Sequence, residues 1–426
     1  MIALVLTAFA VSSAMAANER TLPVSEYRNK MAGGWMGQIV GVTYGAPTEF
    51  KRNGSLFEEN ELPVWKADMV NSCFGQDDIY VEMTFLKTLD THGIDVSARR
   101  AGIDFANSKY RLWCANNNCR NNIRSGIAAP SSSHPKNHKT TDDIDYQIEA
   151  DFSGLLSPGL PQRVIKLGEQ FGRIMNYGDG MYAGQFIGGM YAEAFFENDR
   201  VKTVEAGLKC IPRSSKYAQM VRDVLSSYRA DPVDWKKAWK FVVDKYGKTG
   251  GPMAGNVSFA DIDVKLNGAC VLLGYLWGDG DIMKTVKIAT AAGYDSDCNP
   301  SSALGVLGVQ LGYGGFGSEF TSKFDRTEKW EYTDYDFDSL LAVCETLTKE
   351  IVIAEGGRIE KGAGGERFAL PVKAVVPSAA VDSGNPGPGG DERLTEAEMS
   401  EILYKPTEKD GAQSEKRNTE QNPLRL

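Results

Sequence analysis

The segment Ala292-Gly293-Tyr294-Asp295-Ser296-Asp297-Cys298-Asn299-Pro300 sets two carboxylates two positions apart between apolar runs. On extended backbone such residues project to the same side. Carboxylates that close repel, so folding them together needs a cation, a shared proton or abundant water. A divalent metal with hard oxygen ligands (Mg²⁺, Ca²⁺ or Mn²⁺) meets that need; a solvated turn is the plain alternative. After the pair, Asn299 is suited to cap a helix with Pro300 in its first turn. Ser301 to Gly312 then reads as a buried helix of small residues. A fold containing this loop must hold it from both ends.

Other acids stand at similar junctions. Gly75-Gln76-Asp77-Asp78 opens the amphipathic run Ile79 to Leu89. Adjacent aspartates at a helix start are favoured by unpaired N–H groups and the macrodipole, so an N-cap pair explains them as readily as metal binding. Upstream, Val24, Tyr27, Met31 and Trp35 share a helical stripe within Val24 to Gly45. Glycines at 33, 34, 37, 41 and 45 cost that helix stability and imply close packing against backbone or ligand. The turn Gly45-Ala46-Pro47-Thr48-Glu49 then ends on a carboxylate. In the middle of the chain, Asn116, Arg120, Asn121, Asn122 and Arg124 precede a block with Asp142, Asp143, Asp145, Glu149 and Asp151. This polar density suits a lined cavity and a solvated surface equally. Asn176-Tyr177-Gly178-Asp179-Gly180 reads as a turn.

Helical periodicity continues at 162–174, 183–196, 201–209, 217–228, 233–246, 262–277, 281–291 and 336–353, while strand alternation is scarce and no fixed repeat occurs. The expected fold is all-α, a single compact domain over 21–356 with the acidic segments in inter-helix loops. Beyond it the composition turns polar and rich in Pro and Gly. Residues 370–426 are expected to be a flexible polar tail, with a docking helix at 395–404 as the alternative. Removing everything after about residue 360 should then leave the fold intact.

The start of the chain is an apolar run ending in Ala14-Met15-Ala16, which reads as a signal peptide over 1–17 without a basic leader. Export to the periplasm or medium is expected. No later stretch has the length of a membrane span. The net charge of −9 argues against a general nucleic-acid binder. With three histidines in the chain, chemistry should rest on carboxylates; His134 and His138 sit in a Ser/Pro/Asn-rich loop and are expected at the surface. Cys114 and Cys119 could form a disulfide in an oxidising compartment or remain separate buried thiols.

In combination, G-x-x-x-G followed by G-A-P-x-E, then D-D at a helix start, then D-x-D-x-N before a small-residue helix resembles the ADP-ribosylglycohydrolase family. The likeness spans most of 24–350. It implies an all-α fold with two Mg²⁺ (or Mn²⁺) held between loops, and hydrolysis of an N- or O-glycosidic bond at a ribose-type carbon. By this resemblance Asp77, Asp78, Asp295 and Asp297 are metal ligands, joined by the carbonyl of Gln76. Glu49 and Asp78 are the catalytic candidates, Glu49 orienting or deprotonating water. Asn116, Arg120, Asp142, Asp143, Asp145, Asn176 and Tyr177 are candidates for binding a small-molecule or glycoside substrate. Arg120 and Arg124 near the cavity would fit a nucleotide pyrophosphate; a Trp/Tyr-lined pocket without Arg would fit another exported glycoside. A ligand-binding protein with a degraded metal site is the non-catalytic alternative. Two departures stand out. Gln76 and Cys298 occupy positions where better-known members carry threonines whose hydroxyls bind metal. A thiol suits Mg²⁺ badly, so Cys298 is either a buried thiol or a ligand favouring a softer metal.

Overall fold

The computed structural model describes residues 19–247, 252–254, 257–258 and 260–406. Residues 1–17, read as a signal peptide, lie outside these, as do 407–426. In chain order, the elements that position the site begin with β1 (Glu19–Pro23), α1 (Val24–Gly45), α2 (Asp77–His92) and α3 (Ala98–Ala106). Then come α4 (Cys114–Arg124), α5 (Asp145–Ile148), α6 (Asp151–Leu155) and α7 (Asp179–Ala194). The series closes with α8 (Val264–Trp277), α9 (Ile282–Ala291), α10 (Cys298–Leu311), α11 (Phe337–Ala354), β2 (Arg358–Gly362), β3 (Gly365–Pro371) and α12 (Glu396–Ser400). Helices at Arg200–Lys209, Lys216–Ala230 and Trp235–Tyr246 complete the body close to the predicted ranges.

The pairing of α1 with α10 is made by glycine. Gly33, Gly37, Gly41 and Gly45 recur every fourth residue and so share one helix face. A Cβ at the first three would stand 2.3 Å from the carbonyl oxygens of Gly308, Leu304 and Pro300, and at Gly45 only 2.0 Å from that of Ser296. The helices are therefore antiparallel and in backbone contact, a separation that no larger side chain on this stripe permits. The stripe runs straight to the Asp295–Asp297 loop. On the other side of α10 lies α8, whose 14 residues are all buried.

The described chain is mostly helical, as expected, with a two-stranded ribbon at 252–254 and 257–258 and one larger sheet added. β1, β3 and β2 form an antiparallel three-stranded sheet with β3 in the centre. It carries no alternating pattern because Phe368, Ala369 and Leu370 are buried consecutively in β3.

Residues 370–406 differ from the expected flexible tail. After β3 they lie across the helical body, held largely through their backbone. Tyr182 donates its hydroxyl to Ala379 O at 2.9 Å and accepts from Val381 N at 2.8 Å. Ala128 N donates to Glu392 O at 3.1 Å. Leu394 is buried, Arg99 pairs with Glu398 of α12, and Leu403 N donates to Asn107 Oδ1 at 2.8 Å. Composition shows how little apolar surface the segment has; it does not show that the core supplies hydrogen-bond partners. Cavities of about 380 and 230 Å³ lie beside residues 376–383, and neither is lined by an acid of the centre described below. Among the described residues no helix is long and apolar enough to cross a membrane.

Candidate metal centre

α2 and α10 both start at the acidic segments, so their N-terminal ends, with unpaired N–H groups and partial positive charge, meet there. α10 begins earlier than predicted. Asp297 stands at its N-cap, and Asn299 lies within the first turn, its amide donating to Asn267 Oδ1 at 2.9 Å rather than capping. Asp297 makes no side-chain cap bond, nor does Gln76 at the start of α2. Asp77 accepts from Asp78 N at 3.2 Å in the first turn of α2, whereas neither oxygen of Asp78 is used there. Ligand atoms of Asp77, Asp78 and Cys298 lie within 4.8 Å of one another, and so do those of Asp295, Asp297 and Cys298. Both pairs, more than 200 residues apart in the chain, converge on one thiol.

The loop is clamped from two sides. Thr48 in the turn after α1 shares a 2.8 Å hydrogen bond with the Ser296 hydroxyl, and Phe50 N donates to Tyr294 O at 2.9 Å. From α8, Asn267 Oδ1 accepts from Asp295 N at 3.2 Å while its amide donates to Asp261 O and Asp263 O. Phe50, Cys114, Tyr294 and Tyr332 are among the few non-glycine residues with positive φ. Phe50, Cys114 and Tyr294 adjoin the centre directly. Such backbone persists only where its surroundings enforce it.

Burial pushes the Asp78 carboxyl well above the ordinary carboxylate range, and the charges of Asp77 and Asp297 add to the effect. Asp297 is raised by burial and then by Asp295, and burial pushes Asp295 up to about 8 with Glu49 and Asp77 contributing. Glu49, half-buried, is thus close enough for its charge to act on Asp295. Asp77 is raised by burial too, with Arg111 acting in the opposite sense. Both oxygens of Asp78, Asp295 Oδ2 and Asp297 Oδ1 are buried without a hydrogen-bond donor among the described residues, although the Ser301 hydroxyl lies beside Asp78. Buried carboxylate oxygens left this way are costly unless a cation takes the lone pairs. Hard oxygen donors and crowded negative charge fit divalent cations, while the two helix N-termini favour the ionised form of the aspartates that would hold them.

Further acids form a layer around this cluster. Asp145 accepts from Asn116 N at 2.6 Å, Glu149 accepts from the Asn116 amide, and both carboxyls feel Asp77. Asp143 instead fastens local structure, accepting from Ala115 N and the Asn176 amide, each at 2.8 Å. Asn176 holds Thr141 O and Tyr146 N, and Tyr177 packs edge-on against His134. These two brace the 141–146 turn and do not join the metal cluster. Asp142 is turned toward Ser383 and the neighbourhood of Lys265. Gln76 donates its amide to Ser72 O at 3.4 Å.

Several expectations are corrected. Arg120 donates to Tyr110 O at 2.6 Å, and Arg124 to Ala106 O and Ser108 O, so both tie α4 to the 106–110 loop. Among the described residues, Arg111 is a cation whose charge acts on Asp77. Its guanidinium lies over Trp113 at 4.6 Å, and its carbonyl accepts from Tyr80, one turn along α2 from Asp77. His134 and His138 are buried, not exposed; His138 lies 3.3 Å from Cys119 Sγ, and burial lowers its pKa to about 4. Of the two states left open for Cys114 and Cys119, separate thiols are the one found. Five residues apart on one helix, their side chains diverge by about 140°. The sequence reading missed Asn267, Arg111 and Glu82, which accepts from Phe152 N on the face of α2 that carries Asp78. Asn267 had a signal: a lone amide within the apolar run VKLNGACVLLGYLW.

A helical body that gathers two aspartate pairs at facing helix starts defines a class of proteins with carboxylate centres for divalent cations. The ADP-ribosylglycohydrolase family model matches residues 23–351, and the chain belongs to that family. It is a hydrolase of glycohydrolase type acting on a small-molecule substrate, in a family that typically binds divalent metals. No curated protein matches it. A solved structure described as an ADP-ribosylglycohydrolase-related protein complex matches at 16% identity and a TM-score of 0.44, covering 76% of this chain and 98% of that one.

Proposed function

We propose that the protein is an exported glycohydrolase using two divalent cations, Mg²⁺ or Mn²⁺, to cleave an N- or O-glycosidic bond at a ribose-type anomeric carbon. The observation that carries this reading is the convergence of Asp77, Asp78, Asp295 and Asp297 with buried oxygens lacking donors. These four residues would hold the cations, which when bound polarise sugar hydroxyls and water. Glu49 is on the half-exposed side next to Asp295, where a carboxylate can orient water and accept its proton. Asp145 and Glu149, anchored by Asn116 and pushed by burial toward the neutral acid, are suited to act as a second acid or to bind sugar hydroxyls. Ile144, Ile148 and Ile262, flanked by Phe50 and Cys114, pack with Cys298 into an apolar wall that limits water on that side. The structural use of Arg120 and Arg124 removes one support for a nucleotide substrate and favours, as second reading, a different exported glycoside.

The test is a glycoside panel, ADP-ribosyl conjugates included, assayed with Mg²⁺, Mn²⁺ and EDTA on wild type and Asp297→Ala. Hydrolysis and metal-induced thermal stabilisation should both vanish in the variant. A variant with full metal-dependent activity would remove Asp297 from the mechanism.

A further inference from the structure

We propose that Cys298 is a metal ligand shared between the two aspartate pairs, and that it tunes the centre toward Mn²⁺, Co²⁺ or Zn²⁺ and away from Mg²⁺. The inference rests on the metal-dependent reading above and narrows it to a class of cation. Cys298 is the member common to both clusters: its sulfur lies within 4.8 Å of a carboxylate oxygen from each of Asp77, Asp78, Asp295 and Asp297. It is 5% exposed, and Asp78, Asp295 and Asp297 around it are 1%, 2% and 4% exposed. Both Asp78 oxygens lack donors, so the one that lies within 4.8 Å of the thiol is among them, and Asp295 and Asp297 each carry one buried oxygen without a donor.

Packing alone does not account for this position. Cys298 does touch Ile144, Ile148 and Ile262, as a small hydrophobe would. Its sulfur also stands among four acids and within hydrogen-bond reach of Asp295, a polar setting that a merely apolar residue would not need. As the first residue of α10, preceded by Asp297 and fixed by the α1 contact at Gly45, it has little freedom to turn elsewhere. A thiolate is soft and disfavours Mg²⁺, whereas the surrounding oxygens accept Mn²⁺, Co²⁺ or Zn²⁺ as well. A centre of this mixed donor set should therefore discriminate among divalent cations in a way an all-oxygen centre would not.

Cobalt is the probe, because sulfur bonded to Co²⁺ gives a near-ultraviolet charge-transfer absorption that oxygen ligands do not. Metal-free full-length protein titrated with Co²⁺ should develop this band together with visible ligand-field bands. Cys298→Ser, nearly equal in volume, should keep the visible bands and lose the ultraviolet one. In parallel, thermal melts with Mn²⁺ and Mg²⁺ should show the wild-type preference for Mn²⁺ falling by about tenfold in the variant. Visible bands without the ultraviolet band in wild type overturn the assignment of Cys298 while leaving the carboxylate centre in place. An unchanged Mn²⁺ preference in Cys298→Ser overturns it in the same way. Absence of any Co²⁺ spectrum or metal-induced stabilisation in wild type overturns both this inference and the proposed function.

Discussion

At Asp78, burial and the charges of Asp77 and Asp297 all act in one direction, toward the neutral acid. Asp295, raised from 3.8 to about 8, shows the consequence for stability. A carboxyl whose folded pKa lies above its unfolded value stabilises the fold at low pH and loses that contribution as pH climbs through the folded value. The metal-free protein should therefore lose stability between about pH 4 and pH 8. A saturating divalent cation should flatten or reverse the trend, because it favours the ionised acids. Asp78→Asn removes the cost of holding that acid in its buried, acid-crowded place: at pH 8 its metal-free form should melt above wild type, yet gain nothing from added metal. Melting curves at several pH values, with and without EDTA, check both statements; a metal-free melting temperature rising toward pH 8 would contradict them. Arg111 is stacked on Trp113 and its charge acts on Asp77, and we propose that it meets an anionic group of the substrate. Arg111→Gln should raise KM for an anionic substrate about tenfold with kcat little changed, a loss of the size expected for one charge-assisted hydrogen bond. A fall in kcat with KM unchanged would assign Arg111 to the metal cluster instead.

Between elements, the contact that matters most is that of α1 with α10. A methyl group at Gly41 would stand 2.3 Å from Pro300 O, against backbone that cannot rotate away. Gly41→Ala should cost about 1–3 kcal/mol of stability by overpacking. Activity should fall further than that loss explains, because the displaced end of α10 carries Asp297 and Cys298. Calorimetry with initial rates measured well below the melting temperature separates the two effects. The sequence disclosed this contact as glycines at fourfold spacing, and the helices as apolar periodicity, because both arise from neighbours along the chain. The aspartate pairs were legible for the same reason, each being a short cluster at a helix start. Asn267, Arg111 and the bracing roles of Asn176, Arg120 and Arg124 depend on which backbone groups face them across the fold. A polar side chain looks the same in sequence whether it holds a neighbouring carbonyl or lines a site.

Across the whole molecule, the first and last strands close the body together. β1 pairs with β3 from Glu19↔Pro371 to Pro23↔Arg367, so the N-terminal strand depends on residues beyond 360. A chain ending at residue 360 loses Phe368 and Leu370 from the core, and with Phe368 its edge-on contact with Tyr27, whose ring centroid is 5.4 Å away. It also leaves Leu22, only 2% exposed in the intact protein, without its partner strand. Losing a buried Phe alone costs roughly 3–5 kcal/mol. The expectation that truncation near 360 is harmless is therefore replaced by a sharper one. A chain ending at residue 371 should keep a single cooperative transition and its response to divalent cations, since the clustered acids and thiol lie at the starts of α2 and α10. It should melt somewhat lower, having lost Leu394, the α12 contacts and the backbone bonds to Tyr182. The chain ending at 360 should melt far lower or fail to show a cooperative transition. Circular-dichroism melts of the two truncations beside the full chain, with and without Mn²⁺, decide the matter: equal melting temperatures for the two would show that β3 contributes nothing to closure.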